Sequence, residues 1–205
     1  MTKFEWTTLI GLGLAVVAIF AYFGYLVLSQ RSEPPSFFTP APILREASEK
    51  GMTAKEAYSF ALELAKSWRG DAEIIFASTV FSDVTDVNGM ERSWTFCFYS
   101  SSSRKIYTIV VVEGEARPLK ETGVPLGLNP VSASNWWVDS PEAISAWLSG
   151  GGGDFLARNQ EVDLTAALRF PSDGSAPIWT VVGSAEEGSY VLSVLVDAVS
   201  GKVVE

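Results

Sequence analysis

From Trp6 to Leu28 the chain carries no charged residue. Its core, LIGLGLAVVAIFAYFGYLVL, is long enough as a helix to cross the roughly 30 Å hydrocarbon layer of a bilayer. A cleaved signal peptide would have a shorter apolar run, of about 7–15 residues, followed by a small-residue cleavage site. A buried core helix would show a polar stripe, and none is present. The reading is a single transmembrane helix within residues 1–30, with Leu9, Gly11, Gly13, Ala18, Gly24 and Leu28 in the span. Its small residues are ordinary for a membrane helix and also allow close helix approach. Trp6 at one end and Tyr22 and Tyr25 near the other suit the two interfaces.

The net charge of the 205 residues is −9. All of it lies in residues 51–205, where 11 Lys and Arg face 20 Asp and Glu. Such a surface does not attract nucleic acid or anionic lipid head groups. The expected arrangement is a short cytoplasmic N-terminus and an acidic extracytoplasmic domain. The chain has no histidine, which removes Ser-His-Asp and Cys-His catalysis and nearly every zinc site. Cys97 is the single cysteine, so no intramolecular disulfide forms. Its place in the alternating WTFCFY points to an inert buried thiol.

Residues 31–50 contain SEPPSFFTPAPIL, whose four prolines forbid a continuing helix and favour an extended spacer. MTAKEAYSFALELAKSWRG then reads as an amphipathic helix. Thr53 and Glu56 stand in capping-box spacing, Ala54, Tyr58, Ala61, Ala65 and Trp68 line one face, and Gly70 ends it. Strand patterns follow: AEIIFASTVFSD, a hairpin turn at Asn88-Gly89, ERSWTFCFYS and KIYTIVVVEG. The same order recurs from residue 140. Ser140 is the candidate cap, Pro141 sits at the first helical position, and EVDLTAALRF, PIWTVVGS and SYVLSVLVDAVSGKVVE are the strands. Thr53 to Trp94 spans 41 residues and Ser140 to Trp179 spans 39. This suggests a tandem structural repeat. The expected fold class is α+β: a transmembrane helix followed by two small helix-on-antiparallel-sheet modules, 51–119 and 140–205, joined by a linker over 120–139.

The C-terminal unit resembles the PepSY domain, whose last strands run as an aromatic-led strand, a strand ending in Asp, a Gly turn and a short final strand. Here the pattern falls on Trp179, Tyr190, Asp197, Gly201 and Lys202 to Val204. Asp197 and Gly201 are suited to making the turn. The first unit departs from the pattern, with Glu113-Gly114 and no Asp-to-Gly hairpin. A membrane anchor followed by two such units is similar to bacterial cell-wall-associated proteins with paired PepSY-like domains. The resemblance implies an extracytoplasmic, non-catalytic module that binds or restrains another protein.

Other patterns carry less. A calcium loop around Asp86, Asn88 and Gly89 would put Val84 and Thr95 at ligand positions, where neither replaces a carboxylate. Gly150 to Gly153 lacks the Lys-Ser/Thr of a phosphate cradle and reads as a flexible interruption after a short helix. Paired acids such as Glu186-Glu187, or Glu113 and Glu115, are more simply solvated tips than a glycosidase pair. Trp136 and Trp137 lie in the linker and are candidates for a partner contact or for a seam between modules. The functional expectation is a non-enzymatic accessory subunit of a membrane or envelope complex. Its partners are the bilayer and other membrane or envelope proteins, with no cofactor, metal, nucleic acid or small-molecule substrate. The alternative is a pilin-like filament subunit. Type IV pilins share an apolar N-terminal helix with a Glu at position five, as Glu5 stands here. Met1, read as an initiator, and the helix end at Pro34-Pro35 count against it.

Overall fold

The structure, a computed structural model, describes residues 51–85, 87–124, 128, 133–185 and 188–204. The expected membrane helix and spacer, with Leu9, Gly11, Gly13, Ala18, Gly24 and Leu28, lie outside the described residues. Among the described residues no helix is long and apolar enough to cross a membrane.

Helix α1, Ala54–Trp68, begins at the expected cap: Thr53 Oγ1 accepts the Glu56 N–H, and the Glu56 carboxylate accepts the Thr53 N–H at 2.9 Å. Ala54, Ala57, Ala61 and Ala65 are buried, so this face is made of side chains small enough to bring the helix backbone close to the sheet. Four strands follow: β1 (Ala72–Phe81), β2 (Ser93–Ser100), β3 (Lys105–Val112) and β4 (Glu115–Gly123). Then come a 3-10 turn over Ala133–Asn135, helix α2 (Ser140–Trp147), a π turn (Leu148–Gly152) and helix α3 (Gly153–Arg158). Four more strands end the described chain: β5 (Val162–Arg169), β6 (Ile178–Ala185), β7 (Tyr190–Asp197) and β8 (Val203–Val204).

The fold is α+β with a fully antiparallel sheet, and its strand order corrects the expectation of two small sheets. All eight strands join as β4-β3-β2-β1-β5-β6-β7-β8. The two helix-and-strand sets meet where β1 pairs with β5, from Phe76 opposite Arg169 to Phe81 opposite Leu164. One row of side chains shows why the halves are continuous. Val196, Trp179, Leu168, Ala77, Phe96 and Ile109 stand opposite one another in turn across six strands, and all six are buried. Burying each large apolar side chain contributes about 1.5–3 kcal/mol, and this row spans the seam without a break.

The boundary at 119/120 is also corrected, because β4 runs on to Gly123. Nearly every β4 residue is exposed, so the strand carries no apolar alternation that a sequence pattern could reveal. It is held instead by its ladder to β3 and by Glu121, which accepts the Trp68 indole N–H at 2.8 Å and pairs with Lys105. The first set therefore does end on a hairpin. Its turn is Glu113-Gly114, with φ of 51° and 83°, the positive values that tight two-residue turns require.

One turn reading changes and another gains detail. Asn88-Gly89 belongs to a longer connection, Ser82 to Arg92, and not to a two-residue hairpin. Asn88 Oδ1 accepts the Met90 N–H at 3.0 Å, while Gly89, at φ 81°, lies so close to Pro141 that a Cβ would come within 2.4 Å of its Cα. The run Gly150 to Gly153 interrupts the helix as expected: the chain kinks at Gly151, with φ of 110°, and α3 starts at Gly153. A Cβ on Gly152 would sit 2.3 Å from the Trp147 ring. Only glycine lets the turn fold over that indole.

Candidate functional site

The seam between the halves is built around Trp136. It is buried and edges against Tyr58 of α1, Phe170 after β5 and Trp179 of β6, with ring centroids 5.6, 6.0 and 6.1 Å away. Its indole N–H and that of Trp179 both donate to the Val138 carbonyl, at 2.6 and 2.9 Å. Trp136 thus ties the segment before α2 to both helix-and-strand sets. Trp137, its neighbour, is 69 % exposed. Its backbone N–H donates to the Ala198 carbonyl and its carbonyl accepts the Lys55 ammonium at 2.7 Å, so the backbone is held while the indole faces solvent.

Beside the seam the two helix N-termini meet. Asp139, not Ser140, is the cap of α2, in a capping box with Glu142. The spacing Asp139 to Glu142 repeats that of Thr53 to Glu56, the signal that would have identified it. Ser140 moves to the first helical turn, and its hydroxyl accepts the Ala54 N–H at 2.9 Å. Asp139 Oδ1 accepts both its neighbour Ser140 N–H, at 2.8 Å, and Lys55 N–H, at 3.0 Å. One carboxylate therefore faces the positive ends of two helix dipoles.

A second carboxylate orders the serine-rich tip between β2 and β3. Asp71 accepts the Ser102 N–H at 2.8 Å and the hydroxyls of Ser100 and Ser101 at 2.9 and 3.1 Å. These bonds, the Ser102 backbone donor first, hold its carboxyl well below the ordinary range. Asp197 plays its expected turn role: Oδ1 accepts Val199 N–H and Ser200 N–H, and Gly201 takes φ 74°. The Ser200 N–H is the chief cause of its lowered pKa. Tyr58 is pushed up to about 12, mainly by burial. Cys97 lies half-buried on β2 with its sulfur 3.7 Å from the Thr108 hydroxyl, and burial raises its thiol. These groups lie apart, each tied to a turn or a packing position.

Strand alternation turns the remaining side chains away from the helices. One row on that face reads Leu195, Thr180, Ala167, Ser78, Thr95, Val110 and Arg117 across seven strands. It is rich in small hydroxyls and β-branched residues. Exposed large apolar side chains are unevenly spread: of ten among the described residues, six (Tyr190, Val191, Leu195, Val199, Val203 and Val204) belong to β7, its turn and β8. A depression of about 430 Å³ at the β1–β5 seam is lined mainly by Ile75, Phe76, Phe170 and Pro171, with Arg169 as its one charge. Among the described residues no group of three His, Cys, Asp or Glu could hold a metal ion.

No family model matches the chain, and no curated protein matches it. A solved structure from Clostridium difficile 630, described as a candidate lipoprotein, is similar to it at 14 % identity with a TM-score of 0.47, covering 78 % of this chain and 94 % of that one.

Proposed function

We propose that this chain is a membrane-anchored, extracytoplasmic binding or regulatory module, acting without catalysis as an accessory subunit of a larger membrane or envelope complex. The observation that carries the reading is the concentration of exposed apolar side chains on the last two strands, where Tyr190 and Val191 are 56 % and 58 % exposed. Val191 and Leu195 share the face turned away from the helices, and apolar side chains left exposed together mark contact sites for other proteins. The uncharged stretch Trp6 to Leu28 supports a tether. The PepSY-like succession of a helix and antiparallel strands, with the Asp197 and Gly201 turn before the last short strand, supports a binding role by resemblance. The acidic balance of residues 51–205 favours a protein partner over phosphates or nucleic acid. The test is purification of the full chain from its native membrane in mild detergent. A reproducible co-purifying polypeptide is expected, and a stable lone monomer would overturn the reading.

A further inference from the structure

β3 and β7 hold equivalent places in the two halves of the sheet, yet their outer edges differ. Lys105–Val112 of β3 is paired along its whole length by β4. Among the described residues β8 meets β7 only at Leu195 and Val196. Among the described residues no strand lies against the outer edge of Tyr190 to Val194.

Ladder geometry tells which groups point outward there. The Asp197 N–H donates to the Lys202 carbonyl, and the Asp197 carbonyl accepts the Gly201 N–H, both at 2.8 Å, so both face the β8 side. In an antiparallel ladder the two backbone groups of one residue point the same way, and the direction alternates along the strand. Leu195, Ser193 and Val191 therefore face outward as well. Leu195 stands opposite Val204, which leaves the N–H and C=O of Val191 and Ser193 at the edge, and both residues are exposed.

Natural edge strands are usually protected by charge, proline or a bulge. β4 has all three: Arg117 and Lys120, Pro118, and an irregular register beside Leu119. The segment Tyr-Val-Leu-Ser-Val at 190–194 has none.

We propose that the outer edge of Tyr190 to Val194 takes an extended segment of a partner protein as an added strand, in the place that β4 takes on β3. Main-chain hydrogen bonds give such binding its affinity, and alternate side chains give it selectivity. The inference rests on the binding-module reading and deepens it. The occupant is a neutral or basic segment rather than a second copy, because two chains of net charge −9 repel each other. On the helix side Leu192 and Val194 lie under Gly151 and Gly150, 3.9 and 3.3 Å from the Cβ positions those glycines lack.

The test uses the full chain in detergent and a short synthetic peptide of alternating Val and Thr with Lys at both ends. Its control is the same peptide N-methylated on its bonding edge. Amide exchange followed by NMR should slow at Val191 and Ser193 and stay unchanged at Leu192, whose N–H faces β6. The methylated peptide should do nothing. Val191→Pro removes only an outward N–H, so the response should be lost with the melting temperature retained. Ser193→Lys leaves every backbone group in place and should weaken the response by repelling the basic peptide. Protection elsewhere, or none, would overturn the proposal. So would protection of Val191 and Ser193 that appears without peptide and rises with protein concentration, which would mean a second copy. A native partner that still co-purifies with Val191→Pro would sink the edge inference alone, whereas no co-purifying partner in the wild type would sink the reading beneath it.

Discussion

Asp139 and Lys55 stand 84 residues apart in sequence, and the Asp139 carboxylate accepts the Lys55 backbone N–H at 3.0 Å while capping its own helix. The start of α1 is thereby held by the start of α2. Removing a side-chain cap costs about 0.5–2 kcal/mol. Asp139→Ala should fall at the upper end, about 2 kcal/mol, because two helices lose a partner. Urea denaturation measures it, with faster amide exchange at Lys55 as the local sign. Asp139→Asn keeps an acceptor and should cost clearly less.

Trp136 and Trp137 should separate cleanly. Trp136→Ala removes a buried ring from three aromatic neighbours and should cost about 3–5 kcal/mol. Trp137→Ala acts on a solvent-facing ring and should change stability by less than about 0.5 kcal/mol. Thermal melts of both variants decide it, and a stable, binding-deficient Trp137→Ala would assign that indole to a partner contact.

The turn over Trp147 has a steric signature. Gly152→Ala places a methyl 2.3 Å from the ring, and overpacking of this kind costs about 1–3 kcal/mol or more. Gly152 has ordinary helical angles, so backbone strain does not enter. Pairing Gly152→Ala with Trp147→Leu should recover part of the loss, read as a non-additive double-mutant cycle.

Asp71 gives a pH test with a definite sign. Its folded-state pKa is depressed by the Ser102, Ser100 and Ser101 donors, so it stabilises the fold above its unfolded pKa of about 3.9. That contribution is lost as pH falls below this value toward the depressed one. Asp71→Asn should therefore be less stable than wild type at neutral pH, with the gap closing as the buffer is taken down through pH 4 and below. Parallel melts across that window check it.

Local signals were legible wherever a residue acts on its own neighbours. The Thr53–Glu56 box, the burial of Ala54, Ala61 and Ala65 on α1, the alternation of β2 and β6 and the Asp197–Gly201 turn all depend on contacts within a few positions, so spacing and residue type suffice. β4 escaped because its side chains are exposed and its order comes from β3, Trp68 and Lys105. The cap of α2 was misread by one residue because Asp139 and Ser140 both suit the position. Their separate roles appear only when α1 brings Ala54 and Lys55 alongside.

By itself the sequence determined the α+β class and the succession of helix and strands in each half apart from β4 and α3, since hydrophobic period and turn chemistry are short-range properties. Only the tertiary structure decided that β1 and β5 join the halves into one sheet, that Trp136 is interior while Trp137 is not, and that among the described residues no strand pairs with the outer edge of Tyr190 to Val194. Strand pairing across some 90 residues depends on which surfaces fit when packed together. No local pattern in either strand specifies that fit.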